Sequence, residues 1–305
     1  GIWPAVSIEG EAVATFAIWN FPVALAYRVD GLSLLFALMA SFIGTAILIY
    51  CVTYMEHEEG TARFYILMLI FIGGLIHLVY SLNLLVAYVG WEVIGLCSYL
   101  LIAFWYKRKE SSDAARKVLV MTHIAGYGFL LAILLLYART GTFLYIHPQM
   151  RVNFTFAIFL LFFIAAMAKS VLFPIHTWIP DAMEAPVPVS ALLHSACYVK
   201  AGVYLIARMY WLGRWDWPWH QVVMWVGVAT AVVGGLYALV QDDLKRMLAY
   251  STIGQIGYMA LALGLGTHLS IAAGLLHTLN HGLFKSTLFL CVGSVEHATG
   301  TKEKR

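Results

Sequence analysis

The chain has 305 residues, of which 62% are hydrophobic and only 11% are Asp, Glu, Lys or Arg. A soluble domain carries roughly 25% charged residues, so this composition cannot cover a surface that faces water alone. The net charge of +3 is too small to indicate a nucleic-acid-binding protein, and the apolar content excludes a disordered or collagen-like chain. We therefore expect a protein whose solvent is partly lipid.

The first 30 residues differ from the rest of the chain. Glu9, Glu11 and Pro22 interrupt the apolar pattern, and Trp3 and Trp19 flank the segment. We expect residues 1–30 to form an extramembrane or interfacial segment.

Nine segments beyond residue 30 are apolar over the roughly 20 residues that a spanning helix needs. Only helices and closed barrels satisfy their backbone groups in lipid, and these runs lack the alternation of barrel strands. We predict an all-α, polytopic transmembrane bundle over 31–295 and a cytoplasmic tail or truncation point at 296–305. The predicted spans are 31–54, 62–80, 82–106, 117–137, 153–175, 187–210, 221–241, 246–266 and 269–295.

Most lysines and arginines of the short loops fall on one side of this arrangement, the side of the 107–117 loop and of the C-terminus. The positive-inside rule places that side in the cytoplasm.

Four ionisable side chains lie well inside predicted spans: Glu92, Lys169, Lys200 and Lys285. Each charge costs about 2.5–3.5 kcal/mol at the bilayer centre on insertion scales. Structural ion pairs and snorkelling lysines are one interpretation, and Lys169 is near enough to the end of its span to snorkel in part. Glu92 and Lys200 are not, so we favour an ion or proton path.

Histidines accompany these charges. His277, His281 and Lys285 are spaced i, i+4 and i+8, which puts them on one helix face. Imidazole accepts and donates protons near neutral pH, which suits a relay. For His77 and His123 alone we favour a buried core histidine. We predict no metal site at His277 and His281, because the residues between them lack the glutamate of HExxH and Lys285 would repel a cation.

The remaining motifs indicate no bound group in this chain. The cysteines lie in apolar runs without CxxC spacing, so neither a disulfide framework nor a zinc site is expected. No iron–sulfur cysteine set, dinucleotide-binding glycine motif or P-loop is present. We predict no cofactor-binding or catalytic redox residues. The cysteines are Cys51, Cys97, Cys197 and Cys291.

A helix break is predicted at Pro174, five residues after Lys169. Proline removes a backbone donor, which membrane helices tolerate where the freed groups face protein or a wet cavity. Broken helices beside ionisable groups are typical of ion transporters built from repeats. A short internal match, AKS at 168–170 and FKS at 284–286, is compatible with such a repeat.

These segments resemble a known family. Residues 90–106, GWEVIGLCSYLLIAFWY, are similar to the glutamate-bearing helix of the antiporter-like subunits of respiratory complex I, notably the chain-5 type. Residues 168–208, AKSVLFPIHTWIPDAMEAPVPVSALLHSACYVKAGVYLIAR, resemble the most diagnostic segment of that superfamily, which includes Mrp cation/proton antiporters and membrane-bound hydrogenases. Residues 242–259 and 277–295 agree, so the resemblance covers about 30–295.

The resemblance implies roles for single residues. Glu92 matches the glutamate that pairs with the lysine of the first broken helix, here Lys169, and His194 matches the histidine of the following helix. In the family's mechanism, moving the glutamate away lowers the proton affinity of the lysine, which agrees with the effect of an anionic neighbour on a lysine. The central connecting lysine and its histidines are matched by Lys285, His277 and His281.

Two departures from the family pattern stand out. Lys200 occupies a position that is usually neutral in chain-5-type subunits, and VKAGVYLIAR is closer to Mrp-type and hydrogenase-type subunits. The family also has a second broken helix with a further lysine, whereas this sequence begins with Gly1 rather than Met and ends at Arg305 before that helix. We expect either a partial chain or a second polypeptide that supplies the missing helices.

The resemblance implies translocation of protons, or of cations and protons, by a subunit of a complex I-like redox-driven pump. Alternatives are an Mrp-type sodium/proton antiporter, a membrane-bound hydrogenase subunit and a non-conducting structural subunit. The implied partners are other membrane subunits and the lipid bilayer, and any iron–sulfur, flavin or quinone chemistry would reside in those subunits. A bacterial or archaeal cytoplasmic membrane or an organellar inner membrane is the expected location. The expected proton route passes Lys169, His194, Lys200, His277, His281 and Lys285.

Overall fold

A computed structural model of the chain describes residues 14–19, 25–213, 217–301 and 303, and it confirms the predicted all-α transmembrane bundle. The helices are α1 (Gly31–Tyr54), α2 (Thr61–Tyr80), α3 (Leu84–Ile102), α4 (Lys109–Thr140), α5 (Pro148–Asn153), α6 (Phe156–Lys169), α7 (Val187–Ser195), α8 (Tyr198–Leu212), α9 (Trp217–Leu239), α10 (Leu244–Leu265) and α11 (His268–Thr299).

Seven helical segments of the described chain are long and apolar enough to cross a membrane, against nine expected spans. The Val187–Tyr210 segment, which joins α7 and α8, is one of them, and nearly all of its residues are buried. The two expected spans outside this count are α6, which has only 14 residues, and α11, which has 32. Polar residues of α11, among them His277, His281 and Lys285, lower its mean hydropathy.

A short β-hairpin precedes the bundle, an element that the all-α prediction did not include. Strand β1 (Ala14–Trp19) pairs antiparallel with β2 (Leu25–Val29). Asp30 follows β2 and caps α1, because its carboxylate accepts a hydrogen bond from the Ser33 amide at 2.9 Å. Such a cap satisfies an otherwise orphaned amide of the first helical turn. The features expected at Trp3, Glu9, Glu11 and Pro22 lie outside the described residues.

The bundle packs closely where small residues line the helices. Helices α9 and α10 meet backbone to backbone, and a Cβ atom added to Gly257 of α10 would lie 2.3 Å from the Ala231 amide nitrogen of α9. Small residues permit this approach, which supplies van der Waals contact in a lipid environment where apolar burial contributes little.

The chain leaves helical geometry after α6. Helix α6 ends at Lys169, and regular α-helix resumes only at α7, with a 3₁₀ turn at Asp181–Glu184 between them. Pro174 lies in this segment. The Phe173 amide donates to Thr230 Oγ1 of α9 at 2.9 Å, and the Trp178 indole donates to the Ala168 carbonyl at 2.8 Å. A side chain of α9 and a side chain of the segment itself therefore satisfy polar backbone groups at the break, as irregular backbone within a membrane protein requires.

A second break separates α7 from α8, in the middle of the expected span 187–210. The amides of Ala196 and Cys197 both donate to the Leu192 carbonyl, at 3.3 and 3.1 Å. The Cys197 bond spans five residues instead of four, so the regular i to i−4 hydrogen bonding is interrupted at Cys197. No proline or glycine occurs between 189 and 201, so sequence punctuation could not indicate this break.

Candidate functional site

Lys169, the last residue of α6, is buried between aromatic rings. Its Nζ atom donates to the Trp91 carbonyl oxygen of α3 at 2.5 Å. The same atom lies 4.5 Å from the centroid of the Trp91 ring and 4.7 Å from that of the Tyr198 ring. A carbonyl dipole and two aromatic faces stabilise a cation without forming an ion pair. Lys169 is thus solvated by neutral groups.

Glu92, the residue after Trp91, makes its ion pair elsewhere. Its Oε2 atom lies 2.6 Å from Nδ1 of His123 on α4, and no ion pair joins it to Lys169 among the described residues. The expected Glu92–Lys169 pair is therefore not formed in this structure, although the Lys169 amine is bonded to the carbonyl that immediately precedes Glu92.

His123 is the partner that the sequence interpretation missed. Its side chain is 41% exposed and that of Glu92 is 26% exposed, so His123 is not the buried core histidine that we favoured. Gly126, one turn further along α4, provides room for the carboxylate, because a Cβ atom there would lie only 3.0 Å from Glu92 Oε1. The i, i+3 spacing of His123 and Gly126 on one face of α4 was the available signal.

Tyr198 connects this group to the next helix. Its hydroxyl donates to Thr122 Oγ1 at 2.8 Å, and Thr122 directly precedes His123 on α4. Tyr198 is the first residue of α8, just after the break between α7 and α8. We refer to Trp91, Glu92, His123, Lys169 and Tyr198 as the glutamate cluster.

Lys200 lies two residues beyond Tyr198 and is completely buried. Its Nζ atom is 2.7 Å from His281 Nδ1 of α11 and 3.8 Å from the Met259 sulfur of α10. No Asp or Glu carboxylate of the described chain forms an ion pair with Lys200. At 2.7 Å an amine and an imidazole nitrogen are within reach for direct proton transfer.

Lys285 and His194 both contact the first half of α10. The Lys285 amine donates to Ser251 Oγ at 3.0 Å and to the Leu248 carbonyl at 3.4 Å. Thr252 donates its hydroxyl hydrogen to the same Leu248 carbonyl, at 2.8 Å. Because a hydroxyl has one hydrogen to give, the 3.1 Å contact between Thr252 and His194 Nδ1 assigns the proton to Nδ1.

Three histidines of this region keep one ring nitrogen without a protein partner. The Nε2 atoms of His194, His277 and His281 are buried and accept or donate no hydrogen bond to the described residues. The rings of His277 and His281 lie 6.4 Å apart, centroid to centroid. A buried polar atom costs about 1–3 kcal/mol when unsatisfied, and internal water is the usual partner. We refer to His194, Lys200, His277, His281 and Lys285 as the lysine–histidine cluster.

The two clusters are not joined by a direct hydrogen bond in the described chain. Lys169 contacts neither His194 nor Lys200. Helix α8 is their shared element, since Tyr198 belongs to the glutamate cluster and Lys200 to the lysine–histidine cluster. Transfer of a proton between the clusters therefore requires bound water or movement of a side chain.

Two basic residues that were expected in loops, Lys245 and Arg208, are buried in the structure. Lys245 of α10 is only 4% exposed, and its amine donates to the Ala185 carbonyl at 3.0 Å. Arg208 of α8 is also buried and donates to both oxygens of Asp30, at 2.6 and 3.0 Å. Burial by itself raises the pKa of Asp30, but the hydrogen bonds and charge of Arg208, with the Ser33 amide, hold it below its usual range. Hydropathy could not reveal these contacts because the residues lie at the ends of apolar runs.

Metal ligation finds no support in the described part of the chain, where no group of three or more His, Cys, Asp or Glu side chains is placed to hold an ion.

Two family profiles match the chain. Residues 81–305 match the family described as NADH:quinone oxidoreductase/Mrp antiporter, and residues 16–65 match the chain 5 N-terminus of NADH-ubiquinone oxidoreductase (complex I). These matches confirm the resemblance inferred from the sequence.

Named relatives agree with the profiles. NAD(P)H-quinone oxidoreductase chain 5 of Picosynechococcus sp. is 40% identical over 95% of this chain and 46% of its own length. F(420)H(2) dehydrogenase subunit L of Methanosarcina mazei is 39% identical over 97% of this chain and 48% of its own length. The chain thus spans about half the length of these relatives.

A solved structure has the same fold. A chain of the Mrp complex from Dietzia sp. superposes with a TM-score of 0.89 at 36% sequence identity, and the match covers 96% of this chain and 33% of that chain.

Proposed function

Because the chain belongs to the NADH:quinone oxidoreductase/Mrp antiporter family, we propose that it translocates protons across a membrane as an antiporter-like subunit of a complex I-like, redox-driven pump. The contact between Lys200 and His281 is the observation that carries this proposal. Two buried nitrogen bases, 2.7 Å apart and without a carboxylate partner, share one proton that either base can hold.

The proposed route begins on the side of the 107–117 loop, which the distribution of basic residues assigns to the cytoplasm. A proton reaches Lys169 at the end of α6 and passes to His194 and Lys200. It continues through the histidines of α11, His277 and His281, to Lys285. The orphaned Nε2 atoms support this route, because water bound there would place hydrogen-bonding groups between the side chains.

Glu92 is the proposed electrostatic switch. Its carboxylate lies one residue from the carbonyl that binds Lys169, so a change of its side-chain rotamer brings it to or from the lysine. A nearby carboxylate favours the charged lysine, and its removal favours release of the proton. The pairing with His123 is the state in which the carboxylate is turned away from Lys169.

A purely structural role would give buried lysines a different environment. Burying a charge is costly unless an opposite charge and hydrogen bonds compensate, and a structural group keeps one protonation state. In this chain the amines of Lys169, Lys200 and Lys285 contact carbonyls, hydroxyls, rings and imidazole. Such neutral partners also accommodate the neutral amine, which suits a group that gains and loses a proton.

Redox chemistry is assigned to partner subunits. The names of the relatives, NAD(P)H-quinone oxidoreductase and F(420)H(2) dehydrogenase, describe assemblies that oxidise a soluble donor. We propose that iron–sulfur, flavin or quinone groups reside in such partners and that this chain contributes the membrane pathway.

An Mrp-type sodium/proton antiporter is the second candidate. It is favoured by the likeness to the Mrp complex and by Lys200, which stands where chain-5-type subunits usually have a neutral residue. The two candidates differ in their driving force. An antiporter exchanges protons for sodium without an electron donor, whereas a redox-driven pump requires donor and acceptor.

The test uses sealed membrane vesicles that contain the complete assembly, with a pH-sensitive dye inside. We expect acidification only when electron donor and acceptor are supplied, and at least a tenfold lower initial rate in Lys169→Ala. Lys107→Ala, a change at an exposed loop lysine, is the matched control and should keep the wild-type rate. Sodium-dependent pH change without a donor would favour the antiporter, and unchanged transport in Lys169→Ala would contradict both candidates.

A further inference from the structure

His123 holds one side of the Glu92 carboxylate at the surface of the bundle. The Nδ1 to Oε2 distance is 2.6 Å, and 41% of the histidine side chain is exposed. The other carboxylate oxygen, Oε1, is buried and has no hydrogen-bond partner among the described residues. The ion pair with His123 therefore engages Oε2 and leaves the buried Oε1 unsatisfied among the described residues.

The same carboxylate is flanked by a second cation on the inner side of α3. Lys169 binds the carbonyl of Trp91, and its amine is electrostatically coupled to Glu92. One carboxylate thus has two basic neighbours, a lysine inside the bundle and a histidine at its surface, and within the described chain it forms an ion pair with the histidine but not with the lysine. Since a carboxylate stabilises whichever cation it contacts, the two neighbours compete for it.

We propose that His123 is a positioning residue that competes with Lys169 for Glu92, so that gain of a proton by His123 drives loss of a proton from Lys169. This inference rests on the proposed function and adds a group to its switch. Charged His123 holds the carboxylate outward, and Lys169 gives up its proton. Neutral His123 releases the carboxylate, which turns inward and stabilises the protonated lysine.

The surroundings allow His123 to act in this way. Imidazole is the side chain that most readily accepts and donates a proton near neutral pH, which suits a group that changes charge. His123 lies at the outer face of this chain, with 41% of its side chain exposed, whereas Lys169 is buried. The titratable or charged groups that face the pair are Tyr88 of α3, Tyr127 of α4, Lys169 of α6 and Tyr198 of α8.

Two substitutions separate the charge of His123 from its shape. In His123→Gln the side chain can still donate a hydrogen bond to Glu92 but cannot gain a charge, so the proton translocation rate should depend less on pH than in the wild type. In His123→Lys the side chain carries a lasting charge that holds Glu92 outward, so the initial rate should fall at least tenfold between pH 6 and pH 8. Both are measured in donor-driven vesicles of the complete assembly.

His77→Gln is the matched control, because His77 of α2 bonds to the Tyr27 hydroxyl and the Val86 carbonyl rather than to Glu92. It should keep the wild-type pH profile. A wild-type profile in His123→Gln, or a wild-type rate in His123→Lys, would overturn the inference. Lys169→Ala, measured alongside, distinguishes the two claims: if it abolishes transport while the His123 variants behave as wild type, only the role of His123 fails.

Should one His123 variant not assemble, the other decides, since the two make opposite changes to the charge of the side chain and each has its own contradicting result. Assembly is checked by the amount of intact complex in the vesicles.

Discussion

Two groups of buried charges in this bundle are stabilised in different ways. At the start of α1, Arg208 donates to both oxygens of Asp30, and its Nε atom donates to the Tyr204 hydroxyl at 3.0 Å. In the lysine–histidine cluster, Lys200 meets an imidazole nitrogen and Lys285 meets a hydroxyl and a carbonyl. The first group pairs opposite charges, and the second places cations against neutral dipoles.

The difference indicates which charges are structural. A bidentate pair between guanidinium and carboxylate is stable in one protonation state, because loss of either charge leaves the other buried and unpaired. An amine held by neutral acceptors can lose its proton without leaving an opposite charge behind. We therefore propose that Asp30 and Arg208 stabilise the fold, and that Lys200 and Lys285 take part in proton movement.

The largest expected change in stability comes from breaking the charged pair. Arg208→Gln removes the bidentate partner of the buried Asp30 carboxylate and leaves it the longer ion pair with Arg28 Nε at 3.4 Å, so the free energy of unfolding should fall by about 3 kcal/mol. Thermal or denaturant unfolding of the purified chain in detergent measures this. Arg151→Gln, at an exposed arginine of α5, serves as control and should change stability by less than about 0.5 kcal/mol. Equal stability of the two variants would remove the structural role of the pair.

A smaller loss is expected inside the lysine–histidine cluster. Thr252→Val keeps the shape of the side chain but deletes the oxygen that accepts from His194 Nδ1. The unsatisfied imidazole should cost about 1–3 kcal/mol of unfolding free energy. Because the proton on Nδ1 is then no longer held in place, the translocation rate should also fall severalfold. Wild-type values for both quantities would show that Thr252 does not orient His194.

These two predictions depend on contacts that the sequence did not reveal. The depth of Lys169, Lys200 and Lys285 follows from their positions within apolar runs, since hydropathy and helix length determine where a residue lies along a membrane normal. Hydropathy also predicted the all-α bundle. Contiguous sequence motifs predicted the family. Side-chain partners could not, because Glu92 has two basic neighbours within reach and its rotamer decides between them.

Burial at the ends of spans was equally hidden. Arg208 lies at the end of an apolar run and was expected in a loop, but its partner Asp30 is 178 residues earlier in the chain. The break at Ala196 and Cys197 carries no proline or glycine, so tertiary packing rather than local preference determines it. The sequence analysis did not predict the β-hairpin. Its strands have only six and five residues and lie within the segment that was interpreted as interfacial.

A pH titration sharpens the comparison further. The pKa of Asp30 lies below its usual value of about 3.9, so its contribution to stability is complete above that pH and disappears as the pH falls through the lowered pKa. Unfolding in detergent should therefore require less denaturant as the pH is lowered below about 4. Asp30→Asn should be less stable than the wild type at pH 7 and should lose less stability over that acid range. Parallel acid dependence in the two proteins would refute the assignment to Asp30.

The smallest change in stability, with a large change in transport, is expected for Lys200→Met, and this variant tests the central claim most directly. Methionine fills a similar volume without a charge. It leaves His281 Nδ1 unpaired, but it also removes the cost of burying an amine, so the two effects offset and the free energy of unfolding should stay within about 1 kcal/mol of wild type. Initial rates of donor-driven proton translocation in vesicles of the complete assembly should fall at least tenfold. A wild-type rate, or a loss of stability as large as that of Arg208→Gln, would contradict the assignment of Lys200 to a mobile proton.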